Sequence, residues 1–419
     1  MLIRFRVKNY RSIRDEQEFS LVASTMSELP EAVARPSAFD FGVLRSAALY
    51  GPNASGKSTL CSALQFMKSA VTDSHKSWDP GGGISRDPFA LDTTSVGEPS
   101  SFIVDVSLDN IRYEYGFVVD SSRVLEEWLY AYPKGRRQEW FTRTYDLPDE
   151  FAFSRLLSGE NRTIAALTRP NSLFLSAAAQ NNHQMLSPLH EWFSKQLRVI
   201  EAGTFDNLTL EVSERCLDPD YRAKVFDILK SADLGITEIE VLEDDQEGAA
   251  RARMLDKMMA VFGSSELASV KLVHRTNGRI PVALPFKGES AGTRTLFALA
   301  GAMVEVMTSG GTLVVDELDR SLHPHLALKI VRMFNDPETN PNGAQLIFNT
   351  HDTNLLDTEL LRRDQIWFTE KGDDGATRLF PLTDFRARKH ENLERGYLQG
   401  RFGAVPSVRT PPTFRRTGS

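Results

Sequence analysis

Cysteine is almost missing: Cys61 and Cys216 are the two in 419 residues. That supply excludes a disulfide framework, and without a C-x-x-C pair a zinc clasp is not expected. No run of about 18 apolar residues occurs, so no helical membrane span and no membrane partner are expected. Positive charge is in deficit, with 49 Lys and Arg against 56 Asp and Glu and a net charge of −7. Bulk attraction for nucleic acid is thereby excluded, and any DNA contact would need a local basic groove. Sustained heptads and internal repeats are lacking, which argues against a long coiled-coil arm. The opening residues MLIRFRVKNYRS are too charged for a secretory leader, and a cytoplasmic location is the expectation.

What is present is concentrated at the two ends of the chain. Hydrophobic residues make up 41% of it, enough for a sizeable core, in two or three domains or one domain with a large insert. Residues 51–59 read GPNASGKST. The pattern G-x-x-x-x-G-K-[ST] is filled by Gly51, Gly56, Lys57 and Ser58. Its glycines let backbone N–H groups turn inward around phosphate oxygens, and a helix starting there offers free donors and a positive dipole end. Asn53, Ala54, Ser55, Gly56, Lys57, Ser58 and Thr59 are therefore the expected nucleotide-binding residues, with Lys57 reaching the β- and γ-phosphates and Ser58 ligating Mg²⁺. Residues 46–50 (SAALY) suit a buried strand and 59–69 (TLCSALQFMKS) a helix.

The rest divides by pattern. Residues 2–8 alternate Ile3, Phe5 and Val7 with Arg4, Arg6 and Lys8, which predicts an antiparallel strand with one wet face. Residues 101–108 and 111–119 flank Asp109–Asn110 as a hairpin, and 123–132 and 138–145 continue a meander. Residues 1–145 are expected to form an N-terminal lobe, 146–280 a helical insert, 281–400 a C-terminal lobe and 401–419 a basic tail. Within the insert, 187–197 and 221–232 have helical spacing, and 243–247 (EDDQE) reads as a solvated loop. In the C-terminal lobe, 290–307 predicts a helix, 311–317 (GTLVVDE) a short buried strand, 325–334 a helix and 344–352 (AQLIFNTHD) a second buried strand. Apolar strands separated by a helix predict a parallel pair with ligands at their carboxyl ends.

Those ends carry the chemistry. Asp316 is placed to hold Mg²⁺ and Glu317 to act as general base on water. His351, just past the neighbouring strand, is placed to sense a γ-phosphate. Ser290 and Gly292, opening the helix after Glu289, make an anion site, a helix cap or both, since a capping Ser can still present donors to phosphate.

In this order GPNASGKST, ESAGTRTLFALA, TLVVDELDRSLHP and FNTHD resemble the ATPase head of the ABC/SMC superfamily. The resemblance covers roughly 1–120 and 280–400. It implies an α/β fold, an ABC-type P-loop NTPase head with an antiparallel β lobe, a parallel core sheet flanked by helices, and a helical insert. It also implies ATP and Mg²⁺ sandwiched between two copies, with Gly51–Thr59 of one facing Ser290, Ala291 and Gly292 of the other and Asp319 near the dimer axis. The signature departs from Leu-Ser-Gly-Gly-Gln at Glu289, Ala291 and Thr293. Such heads line the Mg²⁺ site with a Gln after a strand; Gln180, after 172–176 (SLFLS), is the candidate and Gln65 the alternative. Arg11 resembles a basic position near the nucleotide. IRFRVKNYRSI, DELDRSLHP and ENLERGYLQGRFGAVP are further similar to stand-alone ATPases of bacterial phage-defence and abortive-infection systems, the PARIS-, Septu- and Rlo-type subunits. That likeness implies a separately encoded effector, a nuclease or toxin, since 352–419 is short for a nuclease domain. The alternative is a DNA-repair or chromosome-maintenance ATPase of SMC/RecF type, touching DNA through Lys134, Arg136 and Arg137 or through Arg386, Arg388 and Lys389. The energy subunit of a membrane transporter fits these motifs least.

Overall fold

Strand Leu2–Lys8 (β1) buries Leu2, Ile3, Phe5 and Val7 and leaves Lys8 exposed, as its period-two pattern requires. The computed structural model to which it belongs describes residues 1–37, 39–241, 270–276, 278, 280–388 and 391–405. The acidic run 243–247, Lys389 and residues 406–419 lie outside the described residues.

β1 belongs to a seven-stranded antiparallel sheet with β2 (Gln17–Ser20), β6 (Ser100–Leu108), β7 (Ile111–Val119), β8 (Val124–Tyr132), β9 (Gln138–Thr144) and β10 (Phe151–Phe153), in the order β10-β9-β8-β7-β6-β1-β2. Asp109 and Asn110 join β6 to β7 with φ of 48° and 60°. Two consecutive positive φ values give a tight turn whose twist matches the strands, and Asp and Asn tolerate that conformation. A two-stranded ladder, β3 (Val33–Ala34) and β4 (Val43–Leu44), lies before the core.

The core sheet runs β11 (Leu197–Ile200), β15 (Thr312–Val315), β16 (Gln345–Asn349), β5 (Ser46–Tyr50), β17 (Ile366–Lys371) and β18 (Thr377–Pro381). The first five are parallel and β18 is antiparallel. Alternate residues of these strands feed two different cores. Leu49, Val314 and Ile347 pack toward the antiparallel sheet, around helices Lys57–Asp73 and Phe174–Gln180. Tyr50, Val315 and Phe348 pack the other way, against helices Ala291–Ser309 and Pro324–Asn335. Both faces being covered explains why these strands read as unbroken apolar runs.

One buried side chain ties the lobes together. Gln345 Oε1 accepts the Leu2 N–H (2.6 Å) and the Thr312 hydroxyl (3.1 Å), while its Nε2 donates to the carbonyls of Leu2 (2.9 Å) and Leu44 (3.0 Å).

Two expectations are corrected. The segment 146–280 holds helices Asn161–Leu167, Phe205–Arg215 and Pro219–Lys230, but also β10, β11, β12 (Ile236–Val241) and β13 (Val270–His274). β11 is an edge of the core sheet, and β12 and β13 pair with β14 (Val282–Pro285) in a small antiparallel sheet. Residues 172–176 are not a strand: helix Phe174–Gln180 begins there. Its start is fixed from outside the segment. Glu127 of β8, fully buried, accepts the N–H groups of Phe174 (2.6 Å) and Leu175 (3.0 Å). A short apolar run has no periodicity of its own to decide between strand and helix, and this tertiary cap decides it.

Candidate functional site

The carboxyl ends of the five parallel strands lie side by side: Glu201 follows β11, Asp316 and Glu317 follow β15, Asn349 ends β16 with His351 just beyond, the loop from Gly51 follows β5 and Lys371 ends β17. A cavity of about 530 Å³ opens there, lined by residues 53–59 with Arg11, Ser12, Glu317, Asn349, His351 and Lys371.

Backbone shape makes the loop. Gly56 caps the following helix at φ 108°, and a Cβ there would sit 2.2 Å from Thr377 Oγ1, so no other residue fits. The loop is pinned from below by Ser55 Oγ and Thr369 Oγ1, 2.6 Å apart. Lys57 is buried and donates to the loop's own carbonyls, Gly51 O (2.8 Å) and Pro52 O (3.1 Å). Burial holds its ammonium below the ordinary value, partly offset by Asp316, Asp319 and Glu317. Ser58 Oγ donates to Asp316 Oδ1 at 2.9 Å. The hydroxyl and the carboxylate form an all-oxygen pair beside the cavity, a donor set suited to a hard divalent cation that keeps its remaining ligands from phosphate and water.

Glu317 has φ 59°, a left-handed conformation rare outside glycine. Its N–H donates to Asn349 Oδ1 at 2.6 Å. Asn349 Nδ2 donates to Asp316 Oδ1. His351 donates its backbone N–H to Asp319 Oδ2 (3.3 Å), and partial burial, then the Lys57 charge, hold its imidazole below the ordinary value. Arg11 donates from Nη1 to Ser62 Oγ (2.8 Å) and from Nε to Asp87 (3.1 Å), and the Ser62 hydroxyl in turn donates to Glu201 Oε1 (2.8 Å).

The structure thus brings Arg11, residues 53–59, Asp316, Glu317 and His351 together. Gln180 is not among them: it ends helix Phe174–Gln180 and does not line the cavity. Gln65 is inside the loop helix, bonded to Ser69 Oγ (3.1 Å). The residue that ends the strand beside β15 is Glu201. Residues 197–201 read LRVIE, the same short apolar run closed by a carboxylate that marked TLVVDE, and that signal was available in the sequence. Asn349 gave no comparable signal, since its role depends on the register of β15 against β16.

Ser290 caps helix Ala291–Ser309, accepting the Thr293 N–H at 3.1 Å. A Cβ on Gly292 would lie 2.7 Å from Ser321 O, so the start of this helix rests directly on the loop that follows Glu317. Neither Ser290 nor Gly292 lines the cavity of its own chain. Lys134, Arg136 and Arg137 are at the turn between β8 and β9, and Arg386 and Arg388 follow β18. Cys61 and Cys216 are free and buried, and burial pushes the Cys216 thiol up to about 12. Among the described residues no helix is long and apolar enough to cross a membrane.

A family model described as "AAA domain, putative AbiEii toxin, Type IV TA system" matches residues 46–357. Among solved structures, the SMC head domain from Thermotoga maritima is similar at 14% identity, covering 91% of this chain and 98% of that one, with a TM-score of 0.41. The Smc head domain with an extended coiled coil bound to the C-terminal domain of ScpA, derived from Pyrococcus furiosus, is similar at 13% identity, 91% and 97% coverage and a TM-score of 0.41. A SmcHead bound to the C-winged helix domain of ScpA is similar at 12% identity, 90% and 96% coverage and a TM-score of 0.42. No curated protein matches significantly.

Proposed function

This chain belongs to the AAA-domain family whose model spans residues 46–357, and from that premise we propose that it hydrolyses ATP as half of a head-to-head pair and uses the cycle to control a separately encoded effector in antiviral defence. The observation that carries the ATPase reading is the convergence of Lys57, Ser58, Glu317 and His351 on one cavity at the carboxyl ends of adjacent parallel strands, with Asp316 bonded to Ser58 beside it. The loop N–H groups and Lys57 bind the phosphates. Ser58 and Asp316 would hold Mg²⁺, which when bound neutralises phosphate charge. Glu317 orients water and takes its proton, and neutral His351 hydrogen-bonds the γ-phosphate. Arg11 steadies the phosphates from the antiparallel lobe, and Glu201, behind the cavity, holds Arg11 through Ser62.

The signature helix supports the pairing. Ser290 and Gly292 stand outside their own cavity, so an ATP bound at Lys57 would meet them only on a second copy. The defence reading is supported by the family description, which names a Type IV TA system, and the separate effector by the likeness to defence ATPases. A DNA clamp uses the same ATPase and is favoured by one observation, the exposed Lys134, Arg136 and Arg137 at a sheet tip.

Turnover of ATP by the wild-type chain, lost in Lys57→Ala and in Glu317→Gln, tests the chemistry. Glu317→Gln should still bind ATP and run as a larger species on a sizing column. Expressed with its native gene neighbours and pulled down with ATP, it should retain a stoichiometric nuclease or toxin. Nuclease-sensitive DNA without a protein partner would instead select the clamp.

A further inference from the structure

We propose that Asn349 is a positioning residue whose single buried amide sets both Asp316 and Glu317, and so couples cation binding to the placement of the general base. The inference rests on the ATPase reading of the same cavity.

Asn349 ends β16 and is fully buried. The pairing of Val315 with Phe348 brings it beside Asp316. Its Nδ2 donates to Asp316 Oδ1, the oxygen that also accepts the Ser58 hydroxyl at 2.9 Å. Two donors fill the two lone pairs of Oδ1, which leaves Oδ2 as the oxygen presented to a cation. The other half of the amide faces the base: Asn349 Oδ1 accepts the Glu317 N–H at 2.6 Å, and the Asn349 carbonyl accepts the Leu318 N–H at 3.1 Å. Glu317 and Leu318 are thereby held through the residue with φ 59°. A non-glycine residue stays in that region when its surroundings over-determine it, and here one neighbour supplies both restraints.

The bland explanation is that Asn349 merely fills space at the end of a buried strand. The preceding residues, Leu346, Ile347 and Phe348, are apolar and fully buried, so leucine would satisfy packing as well and without burying an amide. What leucine cannot do is donate to one carboxylate while accepting from the next residue's N–H. Aspartate keeps the acceptor, and against Asp316 Oδ1 it restores the donor only by sharing a proton between the two carboxyl groups.

The two explanations therefore rank the variants in opposite order. If Asn349 only packs, Asn349→Leu stays active and Asn349→Asp, which buries a charge, suffers more. If Asn349 positions, Asn349→Leu loses both amide bonds, to Asp316 and from Glu317, while keeping the carbonyl that holds Leu318, and it suffers more than Asn349→Asp. The experiment uses the full chain and measures mant-ATP affinity in EDTA, Mn²⁺ affinity of the ADP complex by electron paramagnetic resonance, and kcat and KM with Mg-ATP. We expect metal-free mant-ATP affinity within about twofold of wild type in both variants, because the phosphate loop is untouched. We expect kcat of Asn349→Leu to fall about thirtyfold with KM little changed, and that of Asn349→Asp to fall less. Mn²⁺ affinity should change at least about fivefold in both, since the oxygen offered by Asp316 is no longer set. An Asn349→Leu enzyme at least as active as Asn349→Asp overturns the proposal, as does metal-free affinity falling in step with Mn²⁺ affinity. Should Asn349→Leu not fold, Asn349→Ala, which also removes both amide bonds, takes its place in the ranking: a kcat at or above that of Asn349→Asp overturns the proposal and one below it supports it. Wild-type protein that binds no mant-ATP removes the ATPase reading itself, and the role of Asn349 falls with it; the variant ratios report on Asn349 alone.

Discussion

Replacing Lys57 with methionine should weaken ATP binding while changing the stability of the fold little. Methionine keeps the length and apolar stem and removes the charge. The ammonium makes two hydrogen bonds to the loop carbonyls Gly51 O and Pro52 O, and binding would exchange these for bonds to phosphate oxygens. Charge-assisted bonds of this kind contribute about 1.5–3 kcal/mol each. Allowing for the two bonds given up, the net loss is about 3 kcal/mol, or about a hundredfold in Kd. Stability should change little, because the carbonyls of Gly51 and Pro52 lose a donor while a desolvated charge is removed. Burial holds the folded-state pKa of Lys57 below its ordinary value. The unfolded chain therefore binds that proton more tightly, and at neutral pH the protonated side chain opposes folding. The charge is tolerated for what it binds. Titration with mant-ATP gives the affinity, and a thermal melt without nucleotide gives Tm. Affinity within about threefold of wild type, or a Tm lowered by several degrees, would refute the reasoning, since a kcal/mol shifts Tm by about 2 °C in a chain of this size.

Gln345→Leu should destabilise the fold by about 3–4 kcal/mol, from four lost buried hydrogen bonds at about 1 kcal/mol each. Denaturant unfolding checks this, and ATP affinity should be unchanged because Gln345 begins β16 and the cavity lies at its other end. Gly292→Ala places a methyl 2.7 Å from Ser321 O, and overpacking of about 1–3 kcal/mol should weaken ATP-dependent pairing about tenfold. Nucleotide binding by the single chain should survive, as a sizing column beside a mant-ATP titration would reveal. His351 is held below its ordinary value of 6.5, so its imidazole is neutral at pH 7. The kcat/KM, which reports the free enzyme, should be flat from about pH 8 down to about pH 6.5 and fall only below it, and a kcat/KM lost as pH drops from about 8 to 7 refutes a neutral role.

Sequence was most informative where function depends on consecutive residues. GPNASGKST, TLVVDE and NTHD carry their chemistry in local order, and SAALY became β5 at residues 46–50. The Asp109–Asn110 turn was equally local. What failed depended on distant residues. The run SLFLS became helix because Glu127, 47 residues before Phe174, caps it, and with that strand went the case for Gln180. Glu201 was readable by analogy with TLVVDE, but its neighbour in the sheet was not. Asn349 acquires its part from a strand register, and no local pattern records a register.

The order of the core strands has a consequence for synthesis. β5 is central, yet both strands that flank it, β16 and β17, come near the end of the chain. Ser55 finds Thr369 across a separation of 314 residues. During translation the phosphate loop therefore emerges early, with an apolar strand behind it that has nothing to pair with until β16 and β17 have left the ribosome. On the ATPase reading, ATP would gain its closed site only after that point, and the interval in which SAALY is bare is the one in which an unpaired apolar strand is open to aggregation.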